Sequence, residues 1–318
     1  MVIQFLILGA GLLLILLGAN YLVEGSSDVA RKFGISEFVI GLTIVGIGTS
    51  APEMVVSFLS SISGKADMAI GNIIGSNIFN TMLILGVTAL ISPLTITRSN
   101  LSRDIPMNII VTAILVILGM KGSIFGFGEN SLSRIDGAIL LALFVWYMYS
   151  SFKYTSKAEG EDEEGPEHAM WLSIIMIAGG LASLIFGGRL FVSSASEIAK
   201  LFGVSDKFIA ITVLAGGTSM PELATCVVAA FKGKGQLALG NILGSNIFNI
   251  LLILGGSSLI NPLSFNGMTM VDLGTVLGSA LFILLSAFIF RKKQLDRVEG
   301  AILLLAEIAY MWYLIANL

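Results

Sequence analysis

Two glutamates stand inside long apolar stretches of this chain, each closing the same short word. Glu53 ends GTSAPE at 48–53, and Glu222 ends GTSMPE at 217–222. A second word follows each, GNIIGSNIFN at 71–80 and GNILGSNIFN at 240–249. Equivalent positions lie 169 residues apart, without a gap from Gly34/Gly203 to Pro93/Pro262. Thr49, Ser50, Thr218 and Ser219 place hydroxyls beside the glutamates. Asn72, Ser76 and Asn80 are spaced i, i+4, i+8 and share one helix face, a face that Asn241, Ser245 and Asn249 repeat. Every group offered is an oxygen donor: carboxylate, hydroxyl, side-chain amide or backbone carbonyl. Such a set suits hard cations such as Na⁺ and Ca²⁺ and not soft metals. Two ionised glutamates are neutralised by one Ca²⁺ or two Na⁺, so one site could exchange them. Mg²⁺, which demands a small octahedral cage, is disfavoured.

The elements that carry these residues follow from local chemistry. Pro52 lacks an N–H and its ring clashes with the carbonyl of Gly48. Gly46 and Gly48 weaken the helix at the same place. A broken helix with exposed carbonyls is therefore expected there, and again around Gly216, Gly217 and Pro221. Gly71 with Gly75, and Gly240 with Gly244, form small-xxx-small pairs that admit another helix closely. The competing reading is a protonated glutamate bonded to a neighbour, with Pro and Gly as packing kinks. A charged residue at mid-span costs roughly 2.5–3.5 kcal/mol on insertion scales, and a Leu or Ile returns about 0.3–0.6. One glutamate per span is thus tolerable without a function. Two at matched positions beside Thr-Ser favour a site.

Composition sets the class. The chain is 318 residues long, 55% hydrophobic and 12% charged, with a mean hydropathy of +0.92. Soluble domains carry about 25% charged residues, so this is an all-α polytopic membrane protein. The net charge of −3 and the lack of a basic block exclude nucleic acid as a partner. The single cysteine, Cys226, excludes an internal disulfide and a thiolate cluster, and no enzyme motif is present. No cofactor is expected. Apolar windows give ten spans, near 3–23, 36–62, 68–91, 104–121, 132–151, 171–198, 206–231, 236–259, 268–290 and 297–316. The first lacks a basic n-region and is read as a transmembrane helix, not a signal peptide.

An acidic linker at 153–169 separates a first five-helix unit, 1–152, from a second, 170–318. An odd number of spans per unit forces the second copy into the membrane in the opposite sense, giving an inverted repeat. With the N-terminus outside, twelve Lys and Arg, including Arg31, Lys32, Lys232 and Lys234, fall on inner loops, against six elsewhere. That bias obeys the positive-inside rule. Both termini then face out, the linker is cytoplasmic, and the site lies near the bilayer centre. The expected setting is a cell membrane, plasma or inner, with a monomer as the working assembly.

The two copies of GTSxPE followed by GNxxGSNxxN resemble the α-repeats of the sodium/calcium exchanger family. The resemblance implies ten helices, a midplane site and alternating access, with Na⁺ and Ca²⁺ as the transported ions. By position it makes Glu53 and Glu222 the Ca²⁺ carboxylates. It makes Thr49, Ser50, Ser76, Thr218, Ser219 and Ser245 oxygen ligands, adds the carbonyls of Gly46 and Ala215, and pairs Asn80 with Asn249. Some relatives, potassium-dependent exchangers among them, carry Asp at the position of Asn249. Asparagine there argues against K⁺ co-transport. A cation/proton antiporter using the same glutamates is the alternative, and a channel the more distant one. The glycines of spans one and six (Gly9, Gly11, Gly18; Gly179, Gly180, Gly187, Gly188) suit sliding. Glu307, mid-way along the last span, is expected only to bond a neighbouring helix.

Overall fold

The computed structural model describes residues 2–126, 129–153, 168–203, 215–289 and 293–317. The fold is almost wholly helical. In the first repeat α1 spans Val2–Phe33, a bent pair follows as α2 (Glu37–Thr49) and α3 (Ala51–Ile62), then α4 (Ala66–Ile91), α5 (Asn100–Gly119) and α6 (Arg134–Lys153). The second repeat gives α7 (Met170–Leu201), α8 (Ala215–Gly217), α9 (Met220–Phe231), α10 (Gly235–Ile260), α11 (Met270–Ile289) and α12 (Arg297–Ala316). Eight of these are long and apolar enough to cross a membrane, and α2–α3 makes a ninth. α9 occupies the place that α3 holds in the first copy, at the same offset. Ten helices in two repeats are the architecture. The expected span at 206–231 and the linker lie partly outside the described residues, the linker's acids wholly so.

The Gly-Pro words break the helix as their chemistry requires. α2 and α3 meet at 48°, with Ser50 at φ −77°, ψ 7° and Pro52 in the first turn of α3. Ser219 holds the same conformation, φ −88°, ψ 10°, with Pro221 following. α1 runs past the apolar window that ends at Val23, because EGSSDVARKF continues the helix to Phe33. Its 32 residues reach about 48 Å at 1.5 Å per residue, well beyond a ~30 Å hydrocarbon core.

Inversion is visible in which loops meet. β1 (Leu94–Thr95) pairs antiparallel with β4 (Gln294–Leu295), and β2 (Ser131–Leu132) with β3 (Leu263–Ser264). Each pair joins two loops that the span count puts on one side of the membrane. Glu24 pairs with Lys232, and Lys234 Nζ donates to Glu37 Oε1 at 2.9 Å, linking ends assigned to the inner side.

α10 forms the centre, with Leu237–Leu243 and Ile247–Leu251 buried. α1 and α7 lie antiparallel against each other outside it. A Cβ on Gly18 would meet the carbonyl of Gly180 at 2.8 Å, and Gly11 opposes Gly187 in the same way. Among the described residues Gly9, Gly179 and Gly188 have nothing within 4 Å, so only four of the seven expected glycines make the contact.

Candidate functional site

The breaks of the two repeats meet at the middle of the molecule, and their bonds cross between repeats. Ser50 Oγ donates to Glu222 Oε1 at 3.0 Å, and Ser219 Oγ donates to Glu53 Oε1 at 2.9 Å. Ser76 Oγ, from α4, approaches Glu53 Oε1 at 3.4 Å. Both carboxylates are buried, with 1% and 0% of their surface exposed. Each sits in the first turn of its helix, where unpaired N–H groups and the helix dipole favour negative charge. Neither is paired with a lysine or arginine among the described residues.

The neighbouring polar groups are arranged so that oxygen is left over. Asn80 spends its amide N–H on Asn246 Oδ1 at 3.2 Å, and Asn249 spends its own on Asn77 Oδ1 at 2.9 Å. Among the described residues their Oδ1 atoms are buried without a partner, as are Glu53 Oε2, Glu222 Oε2 and Thr218 Oγ1. Buried polar atoms without partners are rare, and here five fall on residues that the repeated words single out. Asn80 and Asn249 also begin π-helical turns, at Asn80–Ile84 and Asn249–Leu254. Such turns are frequent where a helix serves a site. No group of three or more His, Cys, Asp or Glu is assembled among the described residues. The donor set is therefore two carboxylates and neutral oxygens, a composition suited to hard cations.

The remaining expected residues divide between the repeats. Thr49 Oγ1 bonds the Val45 carbonyl at 3.0 Å and Asn241 Oδ1 at 3.1 Å, and Ser245 Oγ donates to the Gly46 carbonyl at 3.3 Å. Ala215 opens α8, the described part of the matching segment. Asn77 and Asn246 were not singled out by sequence. Asn246 also donates to Thr81 Oγ1 at 2.9 Å, and Asn77 to the Asn246 carbonyl at 3.1 Å. Together they hold the Asn80 and Asn249 amides with oxygen outward. The signal for them was present, since both belong to the repeated GSN triplet.

Gly240 and Gly244 on α10 do admit a helix, since a Cβ on either would collide with the backbone of Phe38 or Leu42 on α2. At the same offset the segment equivalent to Phe38–Leu42 is 207–211, which lies outside the described residues. Among the described residues a Cβ on Gly71 would meet the Met268 methyl at 3.7 Å and one on Gly75 would meet nothing within 4 Å. Both line a cavity of about 990 Å³ that separates α7 from α3 and reaches Ser76 and Thr218. Pro52 and Val56 form its α3 wall, Gly188, Arg189 and Val192 its α7 wall, and Met268, Asp272, Glu307 and Tyr310 its far side.

Comparison with known proteins gives consistent results. A family model described as sodium/calcium exchanger protein matches residues 3–153 and 172–316. The sodium/calcium exchanger MaX1 of Methanosarcina acetivorans is 34% identical over 97% of this chain and 97% of its own length. Inner membrane protein YrbG of Escherichia coli is 36% identical over 82% of this chain and 81% of its own. A solved structure of the sodium-calcium exchanger NCX_Mj, soaked with 2.5 mM Na⁺ and 0.1 mM Ca²⁺, is 32% identical. It superposes with a TM-score of 0.83 over 97% of both chains.

Proposed function

This multi-pass chain belongs to the sodium/calcium exchanger protein family, and on that premise we propose that it exchanges Na⁺ for Ca²⁺ at the paired-glutamate site. The observation that carries the reading is the set of five buried, unpartnered oxygens on Glu53, Glu222, Asn80, Asn249 and Thr218. A proton needs one acceptor, whereas Na⁺ and Ca²⁺ need a shell of oxygens, six to eight in the case of Ca²⁺. Two carboxylates match one Ca²⁺ in charge, and the neutral oxygens complete a shell that Na⁺ can share. Asn249 leaves no third carboxylate, which favours Na⁺ and Ca²⁺ over a K⁺-dependent cycle.

The mechanism we infer is competition for one cavity followed by a change of access. With the N-terminus outside, α4 starts on the outer side, so the cavity along Met68, Gly71 and Gly75 faces outward. Closure of this cavity would open the site on the opposite side. The α1–α7 pair, separated from α3 by the cavity and packed along α9, is the unit that would slide.

The direct test reconstitutes the protein in vesicles and imposes gradients of Na⁺, K⁺ and H⁺ separately. Uptake of radiolabelled Ca²⁺ driven by Na⁺ alone is expected. Uptake driven by a pH gradient without Na⁺ would favour the proton reading instead. The asparagine clasp gives a finer test. Asn246→Leu removes the acceptor that holds the Asn80 amide, at about 1 kcal/mol per hydrogen bond. The concentration of Ca²⁺ giving half-maximal uptake is expected to rise severalfold to about tenfold, with the maximal rate close to the parent's.

A further inference from the structure

Glu307 lies outside the ion-binding set and presents a separate problem. It sits mid-way along α12, is 4% exposed, and lines the cavity, yet among the described residues its Oε2 has no hydrogen-bond partner. The bond to a neighbouring helix that the sequence suggested is not made by any described residue. Asp272 on α11, in the same wall, is the opposite case. Its Oδ2 accepts from the Thr269 amide and hydroxyl, both at 2.8 Å, and its Oδ1 accepts from the Tyr310 hydroxyl at 2.7 Å.

The surroundings decide what Glu307 can hold. An ionised carboxylate without donors in a low-dielectric wall carries a penalty of several kcal/mol. A metal ion would relieve it only with a shell of further oxygens. One turn away on the same face stand Leu303 and Met311, and the Tyr310 hydroxyl is committed to Asp272. The stretch of α4 against which α12 packs, Asn80–Ile91, has no titratable side chain. Among the described residues, Asp272 faces this wall from α11, Tyr310 from α12 itself, and Arg189 on α7 from across the cavity. A proton neutralises the carboxylate and needs no coordination shell and no extra space.

We propose that Glu307 is a proton-binding site in the cavity wall, distinct from Glu53 and Glu222, through which pH tunes cation capture. Protonated, it leaves the charge of Asp272 opposed by that of Arg189 across the cavity. Deprotonated by solvent in the cavity, it tips this balance negative, which raises the local concentration of cations. The regulatory half of this proposal rests on the exchange reading, whereas the proton site does not, and the two can fail separately.

Infrared titration of the purified protein tests the site. A protonated-carboxyl band that fades with rising pH is expected in the Glu53→Gln/Glu222→Gln double variant, and is expected to shrink when Glu307→Gln is added to it. A band undiminished in that triple variant, or a carboxylate band of the double variant that responds to Na⁺ instead of pH, overturns the proposal. Flux then tests the regulation. In the parent, half-maximal Ca²⁺ on the cavity side should fall severalfold as pH rises, while Glu307→Gln stays at the parent's acid-side value at every pH. A Glu307→Gln profile that tracks the parent refutes the coupling. Glu307→Asp keeps a titrating group and should retain a displaced profile, which guards against reading a folding defect as loss of a proton site.

Discussion

Glu53→Gln or Glu222→Gln abolishes Na⁺-driven Ca²⁺ uptake while the purified protein stays monodisperse. Glutamine retains the carbonyl oxygen that accepts from Ser219 or Ser50, so the substitution removes charge and little else. At an effective dielectric near 20, unit charges 4 Å apart attract by about 4 kcal/mol, and a divalent ion doubles that. Even the smaller figure corresponds to about three decades of affinity. The reciprocal bonding of the two glutamates further requires comparable losses from either substitution. Uptake retained in either variant would remove the shared site from the mechanism. A loss confined to one would mean that the carboxylates hold different ions.

The second large effect concerns positions with no ligand role. A Cβ on Gly244 would run into the Leu42 carbonyl, and one on Gly240 into the Phe38 carbonyl. Gly244→Ala therefore overpacks the contact between α2 and α10, at about 1–3 kcal/mol. That shifts a two-state balance by roughly 5- to 150-fold. The melting temperature of the purified protein should fall, and turnover should change about tenfold. Gly9→Ala on α1, whose added carbon meets nothing within 4 Å among the described residues, should leave both unchanged. A melting temperature unaltered by Gly244→Ala would refute the tight approach of α2 to α10.

Much of this was legible in the sequence. The ten spans follow from apolar windows, and the breaks at Ser50 and Ser219 from the position of Pro52 and Pro221. The convergence of Glu53 with Glu222 follows from an odd number of spans per repeat. Two features escaped for different physical reasons. The end of α1 was placed too early because hydropathy counts polar residues against a span, whereas Asp28 is buried and paired with His168 and Arg31 as the helix continues. Asn77 and Asn246 were passed over because their role is to orient other amides, which only the bond directions reveal.

The short strands bear on how such a chain is made. β1 needs β4 and β2 needs β3, so each ladder takes one strand from each half. The long contacts behave likewise: α1 lies on α7, α2 on α10, and the end of α4 on α12. Neither half encloses a core of its own. During synthesis the first five helices must wait in the membrane with their polar faces uncovered until the last five arrive. The halves are interlocked in assembly as well as in transport, and an ancestor built from one half would have needed a second copy of itself to fold.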